Sequence, residues 1–162
     1  MFSKKKIEKY DEKIIIPEFL NLFHNGFKTD REKELLVYTI KEHNKNKNTF
    51  YVLKLDNKSV GMVSLKFNNI SDNPTLDIDY LFVHKDYRKK SFKILQNKKI
   101  SKFLLDFCLG IIAPQIKDLV NFRYISLYPD KQNKKLIKYY LSLLPNSLQL
   151  NYKNENWIIL KA

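Results

Sequence analysis

The rhythm of apolar and polar residues changes twice between residues 75 and 112, from alternation to none and then to helical spacing. Over residues 75–83, Leu76, Ile78, Tyr80 and Phe82 fall on one side of an extended chain, and Asp77, Asp79, Leu81 and Val83 on the other. A strand with so few polar positions to expose is expected to be central. A basic loop follows over 84–98. From Lys99-Ile100-Ser101 onward, Ile100, Phe103, Leu104, Phe107, Cys108, Ile111 and Ile112 form one apolar stripe that must lie on a sheet. Strand, loop and helix start is the arrangement in which α/β proteins hold phosphates, because first-turn N–H groups and the helix dipole both face an anion there.

The flanking segments complete an α/β set. Ile14-Ile15-Ile16 before Pro17 reads as a short first strand, and Phe19, Leu20, Leu22 and Phe23 as a turn or two of helix ending near Asn25-Gly26. Thr29 or Asp30 caps the next helix, with Glu32 and Glu34 in its first turn and Leu35, Leu36, Tyr38, Thr39 and Ile40 on its apolar side. Residues 50–55 and 60–67 are strands around Asp56-Asn57-Lys58, and Gly61 inside the second marks a bulge or close packing. Residues 68–74 are polar and read as a loop closing an antiparallel meander. Ala113-Pro114 ends or kinks the long helix, and residues 115–120 add a further turn. A strand over 123–128 and a helix through Tyr140, stopped by Pro145-Asn146, precede a closing hairpin of 148–152 and 157–160, where Tyr152 and Trp157 cap the core or wall a pocket.

At 162 residues the chain is expected to be a single domain, 1–162. Its 44% hydrophobic and 14% aromatic content excludes a disordered chain. No run approaches the roughly eighteen apolar residues of a membrane span, and Met1-Phe2-Ser3-Lys4-Lys5-Lys6 lacks a signal peptide's apolar core, so a cytoplasmic protein with no membrane partner is expected. Cys108 lies on the apolar helix stripe and reads as a core residue. His24 and His43 have no carboxylate or Cys at ligand spacing, so surface or capping roles suit them and no metal is expected. The net charge of +13 permits an anionic partner, nucleic acid included. The cations are nearly all Lys, with Arg only at 31, 88 and 123, whereas base-reading proteins favour the Arg fork. The loop segment Lys85-Asp86-Tyr87-Arg88-Lys89-Lys90-Ser91-Phe92-Lys93 interleaves cations with aromatics, either to contact phosphate or RNA, or as a solvated loop anchored by Tyr87 and Phe92.

Two motifs give the pattern a family. Asn133-Lys134-Lys135-Leu136-Ile137-Lys138-Tyr139-Tyr140 resembles the Asn-x-x-Ala-x-x-Phe-Tyr signature of the GNAT N-acetyltransferases, with Leu136 for Ala and Tyr139 for Phe. Upstream, Gln96-Asn97-Lys98-Lys99-Ile100-Ser101 resembles that family's pyrophosphate element, Gln/Arg-x-x-Gly-x-Gly/Ala, with Lys99 and Ser101 at the glycine positions. A register starting at Arg88, with Ser91 and Lys93 at those positions, starts the helix too early; the Gln96 register makes residues 85–95 an insertion.

The resemblance implies a mixed, mostly antiparallel α/β (α+β) sheet with helices on both faces and a V-shaped splay between the two central strands. It implies an acyltransferase that moves an acetyl group from acetyl-CoA to a primary amine by direct attack, without a metal. Main-chain groups of Leu81, Phe82 and Val83 would meet pantetheine and the oxyanion, and Gln96, Asn97, Lys98, Lys99, Ile100, Ser101 and Lys102 the pyrophosphate. Asn133 would bond the cofactor arm, Tyr140 would protonate the leaving sulfur, and Asp79 or Asp77 would serve as a base through water. The acceptor is open: a small amine, peptide or protein; the amino acid of charged tRNA, as in acetylating toxins; or none, in a catalytically degenerate binding domain. A homodimer is compatible with the resemblance.

Overall fold

The structure is a computed structural model and describes residues 1–129 and 133–162. Its strands are β1 (Lys5–Tyr10), β2 (Thr49–Leu55), β3 (Lys58–Ile70), β4 (Asn73–Val83), the short pair β5 (Ser91–Phe92) and β6 (Lys98–Lys99), β7 (Tyr124–Leu127), β8 (Leu148–Tyr152) and β9 (Glu155–Lys161). The helices are α1 (Ile16–Leu22), α2 (Asp30–Asn44), α3 (Ile100–Phe107), α4 (Ala113–Lys117) and α5 (Lys134–Leu143). The chain forms two compact units, Met1–Leu65 with Tyr80–Leu105, and Lys66–Asp79 with Asp106–Ala162. They interleave in sequence because β3 and β4 each contribute residues to both.

In the first unit β1, β2 and β3 pair antiparallel in that order. Phe19, Phe23, Leu36, Ile40, Phe50, Val52, Met62 and Phe82 make its core, with Phe23 edge-on to Phe82 at 5.2 Å between ring centres. The helix α2 starts as its sequence dictates: Thr29 Oγ1 accepts from the Glu32 amide at 3.3 Å, and Glu32 reaches back to accept from the Lys28 amide at 3.2 Å. The first strand is not at Ile14. Ile14 is instead held by the Asn44 side chain, which accepts from its amide at 2.7 Å and donates to its carbonyl at 2.9 Å, an imitation of a strand neighbour. The true β1, Lys-Lys-Ile-Glu-Lys-Tyr, is an edge strand, where one-sided pairing tolerates charge. His43 is buried and not at the surface; its ring nitrogens face the carbonyls of Asn48 (3.0 Å) and Glu12 (2.7 Å).

In the second unit β4 pairs parallel with β7 from Thr75/Tyr124 to Ile78/Leu127, and β9 lies antiparallel between β7 and β8. Residues 68–74 are not a loop. β3 and β4 continue through them to a tight turn at Ser71-Asp72, both at positive φ (51° and 62°), a conformation that short polar side chains adopt more easily than bulky ones. Beyond α3, the chain takes one π turn, Cys108–Ile112, before Pro114 enters α4 at its first turn. The extra residue of that turn shifts the face, so Cys108 and Ile112 are buried while Ile111, expected on the stripe, is exposed.

Candidate active site

β4 supplies the spine of the site in the first unit, and two of the three glycines in the chain fix its end. At Gly61 on β3 a Cβ would lie 2.8 Å from Ile100 Cγ2, 3.1 Å from the Phe82 carbonyl oxygen and 3.2 Å from Leu104 Cδ1. Only glycine lets the first turn of α3 come down so closely on the strand. The β2–β3 register also shifts between Leu53 and Lys54, opposite this point, so Gly61 marks a bulge as well as close packing. At Gly26 a Cβ would lie 2.6 Å from His84 Cδ2. His84 itself is buried, with Nδ1 accepting from the Asp86 amide (3.2 Å) and Nε2 facing the His24 carbonyl (3.2 Å), a pattern that fits the neutral ring protonated at Nε2.

Main-chain direction along this end alternates. The His84 amide donates to the Val60 carbonyl of β3 at 2.9 Å. By the alternation of an extended chain, Phe82 turns its main-chain groups to β3 as well, consistent with its carbonyl beside Gly61. Leu81 and Val83 then turn theirs to the opposite edge. Of the three residues expected to offer main-chain contacts, Phe82 is the exception: its groups face β3 and its side chain is core.

The basic loop folds into a small hairpin. Ser91 pairs with Lys99 and Phe92 with Lys98, and Gln96 and Asn97 form the turn at φ 57° and 62°. Phe92 and Leu95 are buried, and Phe2, Tyr87 and Phe92 cluster with ring centres about 6 Å apart, so the anchored-loop reading fits. Gln96 and Asn97 thus sit exposed at the hairpin tip, and the helix begins only at Ile100. Lys99 is in extended pairing with ordinary φ, so the missing glycine leaves no backbone strain there. Ile100 and Ser101 are buried at the start of α3, with Lys98, Lys99 and Lys102 half-buried beside them. Arg88 is not a surface cation: both carboxylate oxygens of Glu32 accept from its guanidinium.

In the second unit Asn133 is the N-cap of α5, its Oδ1 accepting from the Leu136 amide at 3.1 Å. Tyr140 is buried and Tyr139 half-buried, with ring centres 5.8 Å apart. Asp77 is buried, and its Oδ1 lies 3.1 Å from Ser126 Oγ, which is also 3.1 Å from Thr75 Oγ1. Burial, reinforced by the neighbouring Asp79 charge, pushes the Asp77 carboxyl up to about 7, while Lys66, Ser126 and Asn68 pull it back. Asp79 follows two residues along the same strand face, half-buried. Among the described residues no group of three or more His, Cys, Asp or Glu could hold a metal ion.

The acetyltransferase (GNAT) family model matches residues 16–92, from the start of α1 through β4 to β5. Over that stretch, just under half of the chain, the sequence is similar to the GNAT family. No curated protein sequence matches it significantly. Among solved structures, 97% of the chain aligns with 92% of AtaTR bound with AcCoA, at TM-score 0.72 and 15% identity. It aligns over 96% of its length with 93% of a chain of the AtaT-AtaR complex bound to DNA, at TM-score 0.69 and 14% identity. The PaiA N-acetyltransferase of Thermoplasma acidophilum in complex with coenzyme A matches over 95% of this chain and 97% of that one, at TM-score 0.54 and 18% identity. Identities this low establish the GNAT fold alone, including the mixed, mostly antiparallel sheet expected from the sequence.

The GNAT family match takes in Arg88 and stops before Gln96. Of the expected site residues, Leu81, Phe82, Val83 and those from Gln96 to Lys102 belong to the first unit, and Asp79, Asn133 and Tyr140 to the second. Gly26, His84 and the Glu32–Arg88 pair were not foreseen. The one sequence signal for Glu32 was its place three residues after the Thr29 cap.

Proposed function

We propose that this GNAT-fold protein is an acetyl-CoA-dependent N-acetyltransferase that passes the acetyl group to a primary amine by direct attack. The observation that carries this reading is the run of β4 past its last β7 pair, Ile78/Leu127, to Val83, with Leu81 and Val83 turning main-chain groups away from β3. An extended pantetheine arm pairs with such an edge as an added strand would. The first turn of α3, from Ile100, with Gln96 to Lys102 around it, would take the pyrophosphate, the lysines adding charge where the family has glycine. In the reaction the amine nitrogen bonds to the thioester carbon, an edge N–H of Leu81 or Val83 steadies the oxyanion, and the C–S bond breaks. Tyr140 gives its proton to the departing sulfur; Asp79, through water, takes the proton lost by the amine. Asn133, whose Oδ1 caps α5, would use its amide N–H on the arm. Titration calorimetry with acetyl-CoA, followed by thiol-release assays over a panel of amines, tests the reading. Binding without turnover on any amine would favour the degenerate binding domain.

A second, narrower reading takes charged tRNA as the acceptor. It draws on one observation: Lys85, Lys89, Lys90 and Lys93 stand exposed on the loop and hairpin, in a stretch from 85 to 102 whose sole acid is Asp86. The fold likeness to toxin structures is compatible with it. Acetylation of aminoacyl-tRNA, assayed beside free amino acids and polyamines, separates it from small-amine acceptors.

A further inference from the structure

Arg88 does three things at the end of β4. Its Nε donates to the Val83 carbonyl at 2.7 Å. Its two terminal nitrogens donate to the two carboxylate oxygens of Glu32, and its guanidinium lies 5.6 Å over the Phe82 ring. The direction of the first bond matters. Because the His84 amide points to Val60 on β3, the trans peptide aims the Val83 carbonyl away from β3, at the edge offered to a ligand. Glu32 also receives a side chain from β4 itself: the Tyr80 hydroxyl donates to its main-chain carbonyl at 3.0 Å. One residue in the first turn of α2 is therefore joined to β4 from both sides of Leu81. A strand end with one bare edge frays unless something orients its peptide groups, and the planar guanidinium fork can hold a carbonyl and a carboxylate together, as a lysine cannot.

Resting on the acetyl-CoA reading above, we propose that Arg88 is a positioning residue for cosubstrate binding. By filling the Val83 carbonyl and anchoring to Glu32, it holds the edge groups of Leu81 and Val83 in register for the pantetheine arm. Its charge is neutralised by Glu32 and is not the charge that attracts phosphate. The two roles predict opposite outcomes when the carboxylate is removed. Glu32→Gln keeps the size of the side chain but loosens the anchor, so acetyl-CoA affinity falls about threefold; an Arg88 that bound phosphate would be released by the same change, and affinity would rise.

The experiment is calorimetric titration of the full-length chain with acetyl-CoA at several salt concentrations. Arg88→Ala is expected to weaken binding about tenfold with an unchanged slope against salt, and Arg88→Lys to fail to restore it. Tighter or unchanged binding by Glu32→Gln, or a shallower salt slope in Arg88→Ala, overturns the proposal. Glu32→Gln carries the decision alone if Arg88→Ala does not fold. Absence of acetyl-CoA binding by the unmodified chain overturns the acetyl-CoA reading and this proposal with it, whereas binding that Arg88→Ala leaves intact overturns the proposal alone.

Discussion

In the first unit the end of β4 is fixed by shape: glycines at 26 and 61, aromatic rings around Phe82, and an arginine whose charge is spent on Glu32. In the second unit the same strand carries titratable groups, a buried Asp77 beside Asp79 and Ser126, while α5 brings a buried Tyr140. A rigid edge suits holding an extended ligand; groups that can gain or lose protons suit the chemistry done on it. Under the acetyltransferase reading, the strand edge of the first unit chiefly sets affinity and the proton-transfer groups of the second chiefly set rate. Substitutions in each unit should then separate the two quantities.

The largest effect is expected at Tyr140. Removing its hydroxyl in Tyr140→Phe should slow turnover by roughly 10²–10⁴-fold while leaving acetyl-CoA affinity near that of the unmodified chain. Tyr139→Phe should change little, since successive helix residues point about 100° apart and that position needs only a ring. A loss of affinity in Tyr140→Phe would break the division between the units.

Asp77 comes next, in stability. Its folded-state value of about 7 against an ordinary 3.8 means that folding takes up a proton between those values. Its contribution is therefore most favourable at the acid end of the window, falls as pH rises toward about 7, and is level above it. Asp77→Asn should remove that dependence and gain up to about 4 kcal/mol over the unmodified chain at pH 8, at about 1.4 kcal/mol per unit, with little difference near pH 4. Urea melts at both pH values measure it; an equal effect at the two would mean that the carboxyl is ionised throughout.

Gly61→Ala sharpens the comparison from the other side. The new methyl group meets Ile100 and Leu104 and must push the start of α3 off β3, destabilising the chain by roughly 1–3 kcal/mol. Acetyl-CoA affinity should fall, with turnover of the bound complex little changed. The smallest effect belongs to the exposed hairpin lysines. Lys89→Ala with Lys90→Ala should leave acetyl-CoA binding intact and lower the salt slope of tRNA binding by about two at most.

Much of this was legible in the sequence where one periodicity ruled a segment. α2 announces itself by its spacing and the Thr29 cap, and α3 begins where its stripe comes into phase. β1 was illegible because an edge strand need not alternate, and three of its six residues are lysines. The Ser71-Asp72 turn hid inside a polar run whose residues pair as strand. The site was less legible than the fold. Sequence marks Arg88 as a cation but not as one already paired, since Glu32 lies far away in the chain, and it cannot show that Phe82 turns its main chain toward Gly61 while its neighbours turn away.

The two outermost strands differ in how they meet other molecules. β1 carries Lys5, Lys6, Glu8 and Lys9, and charged side chains along an edge strand disfavour its pairing with a second copy. β8, Leu148–Tyr152, has no lysine, and Leu148 is 66% exposed. A concentrated solution of this protein is therefore guarded against self-association through the β1 edge and unguarded at β8, and a lysine at position 148 is the simplest way to make it keep better on the shelf.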